Sequence, residues 1–240
     1  MEAWRLSVSR GNLKRATGIL PTMLRGIRLI IYDLDGTLID STEAIVETFN
    51  TILAAEGVPL PQQGIIESLI GEPMPEILKK ILPPERRGEV QRFWDAYIPV
   101  YARISPQKTR ILPGVAETLK EFKTKGFMQS IATQKKGAVA TRVLRELGLL
   151  PNFDLVLGID DVAHPKPAPD IIELTLKRLG VKPVEVVFVD DTTIGLEAGK
   201  NAGVHMVGIT TGTHDAGRLA TLRPDCIIDN LGELTRLVAR

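Results

Sequence analysis

Short runs of β-branched and aliphatic residues alternate with amphipathic stretches over most of this chain. Six runs read as strands: Arg28–Asp35, Met128–Gln134, Leu155–Ile159, Glu185–Asp191, His205–Ile209 and Cys226–Asp229. Their cores are almost continuously apolar, the pattern of strands covered on both faces. Between them, Val115–Lys125, Ala138–Leu147, Asp170–Leu179 and Leu196–Asn201 carry apolar residues at helical spacing. Gly126, Gly148, Gly180 and Gly203 follow these segments, where a helix C-terminus takes a left-handed residue. The alternation predicts an α/β fold, a Rossmann-like parallel sheet with helices on both faces. Ligands of such sheets sit beyond the carboxyl ends of the strands.

Residues 41–109 break the alternation. Asp40-Ser41 reads as a helix N-cap with Glu43 behind it, and Ile45, Phe49, Ile52 and Leu53 follow at helical spacing. Further helices are expected at Ile65–Ile70, Pro75–Leu82 and Glu85–Ser105, with Pro99 kinking or ending the last. Phe93, Trp94, Tyr97 and Tyr101 form its packed face rather than a stacking platform. The expected organisation is a catalytic core (27–40 and 110–240) with a small all-α cap (41–109) inserted after the first strand. Both crossings lie near that strand's end, so the cap can cover whatever the strand presents.

Composition narrows the function classes. The 240 residues suit a core plus an insert, and a net charge of +1 gives no electrostatic reason for nucleic acid or acidic membrane as partner. No window approaches the apolar length that a membrane span needs. Cys226 is the single cysteine; it cannot form an internal disulfide, and its neighbours Ile227 and Ile228 mark it as packing. Residues 1–26 hold five basic side chains against Glu2 alone. They read as an extension of unknown role, or as sequence upstream of a functional start at Met23, rather than a secretory signal. The expectation is a cytoplasmic monomer or homodimer.

The chemistry lies at four strand ends or loops. Asp33-Leu34-Asp35-Gly36-Thr37-Leu38 places two carboxylates just past the first strand, with Gly36 permitting a sharp turn. Ile131-Ala132-Thr133-Gln134 ends in a hydroxyl and an amide. Pro165-Lys166-Pro167-Ala168-Pro169-Asp170 presents one lysine on a stiff loop, and Val187-Phe188-Val189-Asp190-Asp191-Thr192 ends in paired acids. Acids gathered at buried strand ends require metal, phosphate or catalytic work to occupy them. Here they point to magnesium-dependent phosphoryl transfer.

From about Arg28 to the C-terminus, these four motifs in this order resemble the haloacid dehalogenase-like hydrolase superfamily, in particular its helically capped phosphatases. The resemblance implies Asp33 as nucleophile and Asp35 as general acid/base. It assigns phosphate or substrate binding to Thr133, Gln134, Lys166 and Gly36. It implies Mg²⁺ at Asp33, Asp35 (through its carbonyl), Asp191 and Asp190, and a small phosphorylated metabolite as partner. Asp190 stands where glycine is frequent, Gly195 where a second acid is usual, and Gln134 where asparagine is frequent. Leu112-Pro113-Gly114-Val115 and Pro224–Asp229 make the phosphoglycolate phosphatase-like subgroup nearest by pattern.

A β-phosphoglucomutase-like mutase would keep all four motifs, and would convert a sugar 1-phosphate to the 6-phosphate without releasing phosphate. A dehalogenase has no use for the acid at Asp35, and a non-catalytic binding role leaves the acid and lysine set without a task. Outside the motifs, His164 reads as a surface loop residue beside Lys166, His205 as a strand residue and His214 as a loop residue. Arg86, Arg87 and Arg103 read as a solvated helix face.

Overall fold

The computed structural model describes residues 23–240. Positions 1–22 of the expected extension lie outside the described residues. Leu24 belongs to the body of the fold: its N–H donates to the Leu237 carbonyl at 2.7 Å, and its carbonyl accepts from the Ala239 N–H at 2.8 Å.

The elements run β1 (Leu29–Tyr32), β2 (Ile39–Asp40), α1 (Thr42–Ala55), α2 (Ile65–Leu69), α3 (Met74–Ile81), α4 (Val90–Lys108) and β3 (Arg110–Ile111). They continue α5 (Val115–Thr124), β4 (Met128–Ala132), α6 (Gly137–Glu146), β5 (Leu155–Leu157), α7 (Asp170–Leu179) and β6 (Val186–Asp190). The chain closes with α8 (Thr193–Ala202), β7 (His205–Ile209), α9 (Ala216–Ala220) and β8 (Cys226–Ile228). Six strands form one sheet in the order β5-β4-β1-β6-β7-β8, every neighbouring pair parallel. The expected α/β class and parallel sheet are therefore observed.

β1 is central because its side chains suit both sides of the sheet. Ile30 and Tyr32 enter the core shared with α5, α6 and the inserted helices, while Leu29 and Ile31 enter the core under α7 and α8. That is the two-residue alternation of a strand with both faces apolar. Its one polar tip is satisfied: the Tyr32 hydroxyl donates to Gln129 Oε1 at 2.9 Å, and Gln129 Nε2 donates to the Leu119 carbonyl at 2.9 Å.

Aromatic residues of the inserted helices pack within the same core as Ile30 and Tyr32. Phe49 of α1 packs against Tyr97 of α4 with ring centroids 5.0 Å apart, and Tyr97 stacks on Tyr101 at 5.5 Å. Phe49, Phe93 and Tyr101 are fully enclosed, each contributing roughly 1.5–3 kcal/mol by leaving water.

Four details depart from the expectations. β1 ends before Asp33 and Asp35, and β6 ends at Asp190, so Asp33, Asp35 and Asp191 lie outside the ladder. Pro99 does not end α4, which continues to Lys108. Pro99 and Asp95, whose carbonyl it deprives of its helical partner, are both exposed. The helix expected from Glu85 instead opens with a 3₁₀ turn at Pro84–Glu89. Finally, β2 and β3 pair antiparallel, Ile39 opposite Ile111 and Asp40 opposite Arg110, a ladder too short for periodicity to reveal.

Cys226 is half-buried against the core, and burial, with Glu233 and Asp225 nearby, raises its thiol to about 11, as suits a packing residue. Among the described residues no helix is long and apolar enough to cross a membrane.

Gly158, just past β5, leaves no room for a side chain, since a Cβ there would run into the Gly137 N–H and the Lys135 carbonyl. Gly158→Ala should therefore cost about 1–3 kcal/mol, seen as a lower urea midpoint. An unchanged midpoint would mean that the Lys135 loop yields freely.

Candidate active site

Sheet register assembles the site. Tyr32, the last residue of β1, lies beside Ile131 of β4 and Val189 of β6, so the next residues of all three chains emerge together. Asp33, Ala132-Thr133 and Asp190-Asp191 consequently share one edge of the sheet, where the strand order changes direction around β1.

Lys166 closes this edge from above. It is 3% exposed, and its Nζ donates to Asp33 Oδ1 at 2.8 Å and to Asp190 Oδ2 at 2.9 Å. Burial opposes its charge, yet Asp190 and then Asp33 hold its pKa above the ordinary lysine value. Its loop is pinned on both sides. Gln134 Nε2 donates to the Lys166 carbonyl at 3.1 Å, and Asn201 Nδ2 to the Pro167 carbonyl at 3.0 Å. Burial pushes the Asp33 carboxyl up to about 7; Lys166 opposes the rise, and Asp190 and Asp35 add to it.

Asp190, expected as a metal ligand, has hydrogen bonds to both of its oxygens. One oxygen is taken by Lys166, and the other accepts from the Thr192 N–H and Oγ1, both at 2.8 Å. A Cβ at Gly195 would collide with this carboxylate. The two departures from the family pattern are thus one arrangement: an acid at 190 fills the space that a side chain at 195 would need.

Asp35, 9% exposed, accepts from the Ser41 hydroxyl in a very short contact and pairs with Lys135 Nζ at 2.7 Å. The Lys135 ammonium also lies 4.7 Å over the Tyr101 ring. Of the expected N-cap pair Asp40-Ser41, the Ser41 side chain makes no cap bond and goes to Asp35, while Asp40 Oδ1 accepts from the Thr42 N–H at 3.0 Å.

Asp191 is 1% exposed, and burial together with Asp190 and Asp33 raises its pKa well above the usual carboxylate range. Its oxygens accept from Thr37 Oγ1 at 3.0 Å and from the Thr213 N–H at 2.9 Å. A Cβ at Gly36 or Gly212 would strike this carboxylate. Gly36 also adopts φ +80°, which favours glycine. Its N–H is spent on the Ile39 carbonyl at 2.8 Å, and its lack of a side chain leaves room for Asp191.

Four carboxylates thus face two ammonium groups, which leaves negative charge for a divalent cation to neutralise. Among the described residues no three His, Cys, Asp or Glu side chains are placed to enclose an ion by themselves. A hard cation that takes one or two carboxylates and completes its shell with water and phosphate oxygens fits this set. No cation other than Lys166 bonds Asp33, and none bonds Asp191, among the described residues.

Thr133 is buried at the end of β4, its Oγ1 accepting from the Lys135 N–H at 3.2 Å. Gln134 borders the cleft, but its amide secures the Lys166 loop. His164 is exposed and pairs with Asp170 at 2.9 Å. His205 begins β7, as expected. His214 is a loop residue, but a buried one whose Nδ1 accepts from the Thr193 N–H at 2.9 Å. Arg86 and Arg87 bond within the inserted helices, and neither they nor Arg103 borders the cleft. Trp94, Tyr97 and Tyr101, expected only to pack, line the cleft as well. Sequence reasoning missed Ser41, Lys135, Thr37 and Thr213. Lys135 carried a signal, an ammonium directly behind Thr133-Gln134 at a strand end.

This geometry agrees with the chain's relatives. The family model described as haloacid dehalogenase-like hydrolase matches residues 30–209, and the chain belongs to that family. It is 37% identical, over 86% of its length and 91% of the relative's, to "Probable phosphatase IndB" of Dickeya dadantii. It is 28% identical to a phosphoglycolate phosphatase of Yersinia pseudotuberculosis, over 88% of this chain and 92% of that one. A solved haloacid dehalogenase-like hydrolase from Bacteroides fragilis superposes with a TM-score of 0.82 at 27% identity, covering 87% of this chain and 99% of its own.

The raised Asp33 pKa has a thermodynamic consequence. An unfolded aspartate titrates near ~4, and Asp33 in the folded protein near about 7. Between these values the folded state binds the extra proton, so stability from this group falls as pH rises. In metal-free protein, Asp33→Asn should therefore gain stability relative to wild type from about pH 4 to about pH 7. Thermal melts across that range check it; a constant difference refutes it.

Proposed function

We propose that this protein is a magnesium-dependent phosphatase that hydrolyses a small phosphomonoester through an aspartyl-phosphate on Asp33. One observation carries the reading: a buried lysine ammonium bridges two strand-end acids, beside a third acid that no cation neutralises. Such a site is charged to receive a phosphate dianion together with a divalent cation.

A carboxylate attacks poorly, but it splits one hard displacement into two easier ones. Asp33 bonds to phosphorus as the bond to the leaving oxygen breaks, and Asp35 gives that oxygen its proton. Asp35 then takes a proton from the water that attacks the aspartyl-phosphate, and the bond to Asp33 breaks to release phosphate. Ser41 and Lys135 hold the Asp35 carboxyl in place for both transfers. Lys166 offsets the charge of the phosphate oxygens, with Asp190 fixing its ammonium, and Thr133 supplies a hydroxyl at the neighbouring strand end. Mg²⁺, held by Asp33, Asp191 and the Asp35 carbonyl, would supply the charge that lets a dianion approach these acids. Relatives named phosphoglycolate phosphatases make 2-phosphoglycolate the reference substrate.

Asp33→Asn should lose about 10³-fold or more in phosphate release while keeping the wild-type circular dichroism spectrum. EDTA should silence the wild type and Mg²⁺ restore it. Phosphate release by Asp33→Asn at the wild-type rate would remove Asp33 as nucleophile.

The acid swap gives a second test. Gly195→Asp alone should be severely impaired by collision with Asp190, and adding Asp190→Gly should recover about tenfold or more, a coupling expected of residues in contact. Additive losses would show that the two positions do not share one space.

A further inference from the structure

The cleft that opens from Asp33 and Asp35 has a chemistry of its own. It is open to solvent on one side, and its lining is mainly apolar. Beyond the acids its walls are Ile70, Met74, Trp94, Tyr97, Ile98 and Val139, drawn from the inserted helices, the loop before α3 and the first turns of α6.

Two of the charged groups on these walls, Lys135 and Glu72, are already engaged in ion pairs. Among the described residues no arginine lines the cleft, so none of them offers a bidentate clamp for a carboxylate. Lys135 is paired with Asp35. The Lys136 ammonium lies 4.7 Å over the Trp94 ring, and Glu72, an acid that would repel a carboxylate, is held by Lys80 at 2.6 Å. The aromatic wall is fixed in advance: Tyr97 is held between Phe49 at 5.0 Å and Tyr101 at 5.5 Å. A preformed apolar wall rewards an apolar occupant with little ordering cost.

We infer that the leaving group of the natural substrate is an uncharged, mainly apolar group, and not the carboxymethyl group of phosphoglycolate. The inference rests on the phosphatase reading above, since it assigns the cleft to the alcohol side of the scissile bond. Trp94 and Ile98, on adjoining turns of α4, then act as specificity residues that touch the leaving group.

Benzyl phosphate, 2-phosphoglycolate and methyl phosphate test this, because each releases an alkoxide on a primary carbon or methyl group rather than a stabilised phenolate. With Mg²⁺ and the full chain, kcat/KM for benzyl phosphate should exceed that for 2-phosphoglycolate by tenfold or more. Trp94→Ala should lower the benzyl-to-methyl ratio at least tenfold. A preference for 2-phosphoglycolate, together with its loss in Lys136→Met, would overturn the inference and make Lys136 a carboxylate site.

Calorimetry with phosphonates separates this outcome from failure of the phosphatase reading. Benzylphosphonate should bind wild type at least tenfold more tightly than methylphosphonate or phosphonoacetate, whether or not any ester is hydrolysed. Equal affinities would refute the apolar subsite. Tight benzylphosphonate binding without turnover of any ester would refute the phosphatase and leave the subsite standing.

Discussion

The arrangement at the sheet edge depends on one buried ammonium group. Taking a lysine charge out of water costs several kcal/mol, and here that cost is met by two carboxylates at 2.8 and 2.9 Å. The benefit runs the other way too. Register forces Asp33, Asp190 and Asp191 to leave adjacent parallel strands side by side, and three such acids repel one another. Without Lys166 the folded site would resolve that repulsion by holding protons. With it, the rise that burial and the acidic neighbours impose on the Asp33 pKa stops at about 7.

That dependence explains how much structure serves a single side chain. The amide of Gln134 and that of Asn201 hold the backbone on either side of Lys166. Thr192 occupies the Asp190 oxygen that Lys166 does not use, and its Oγ1 also caps α8 by accepting from the Gly195 N–H at 3.0 Å. Gly36, Gly195 and Gly212 stand where any Cβ would push an acid out of line. Local preferences for helix or strand are set aside at these positions, as is usual where a fold gives up stability for a site.

Much of this was legible in the sequence because the decisive signals are local. Apolar runs bounded by glycines gave the parallel sheet, with His205–Ile209 and Asp170–Leu179 found to the residue. Acids directly behind β1 and β6 had to emerge at one edge once those strands were parallel. Other features depended on partners far away in the chain. Ser41 looks like a helix cap until Asp35 is seen beside it, and Gly36 looks like a turn residue until Asp191 is seen to need its space. The β2–β3 ladder has two residues per strand, too few for any period. The dual role of Trp94 and Tyr97 was hidden for another reason: the hydrophobic pattern marks which residues avoid water, but not whether protein or ligand covers them.

Thr213 adds one more tie between the inserted segment and the sheet edge. Its backbone N–H donates to Asp191, while its hydroxyl donates to the Ile70 carbonyl of the inserted segment at 3.2 Å. One residue therefore touches both the acid cluster and the roof above it, so the positions of the two are not set independently.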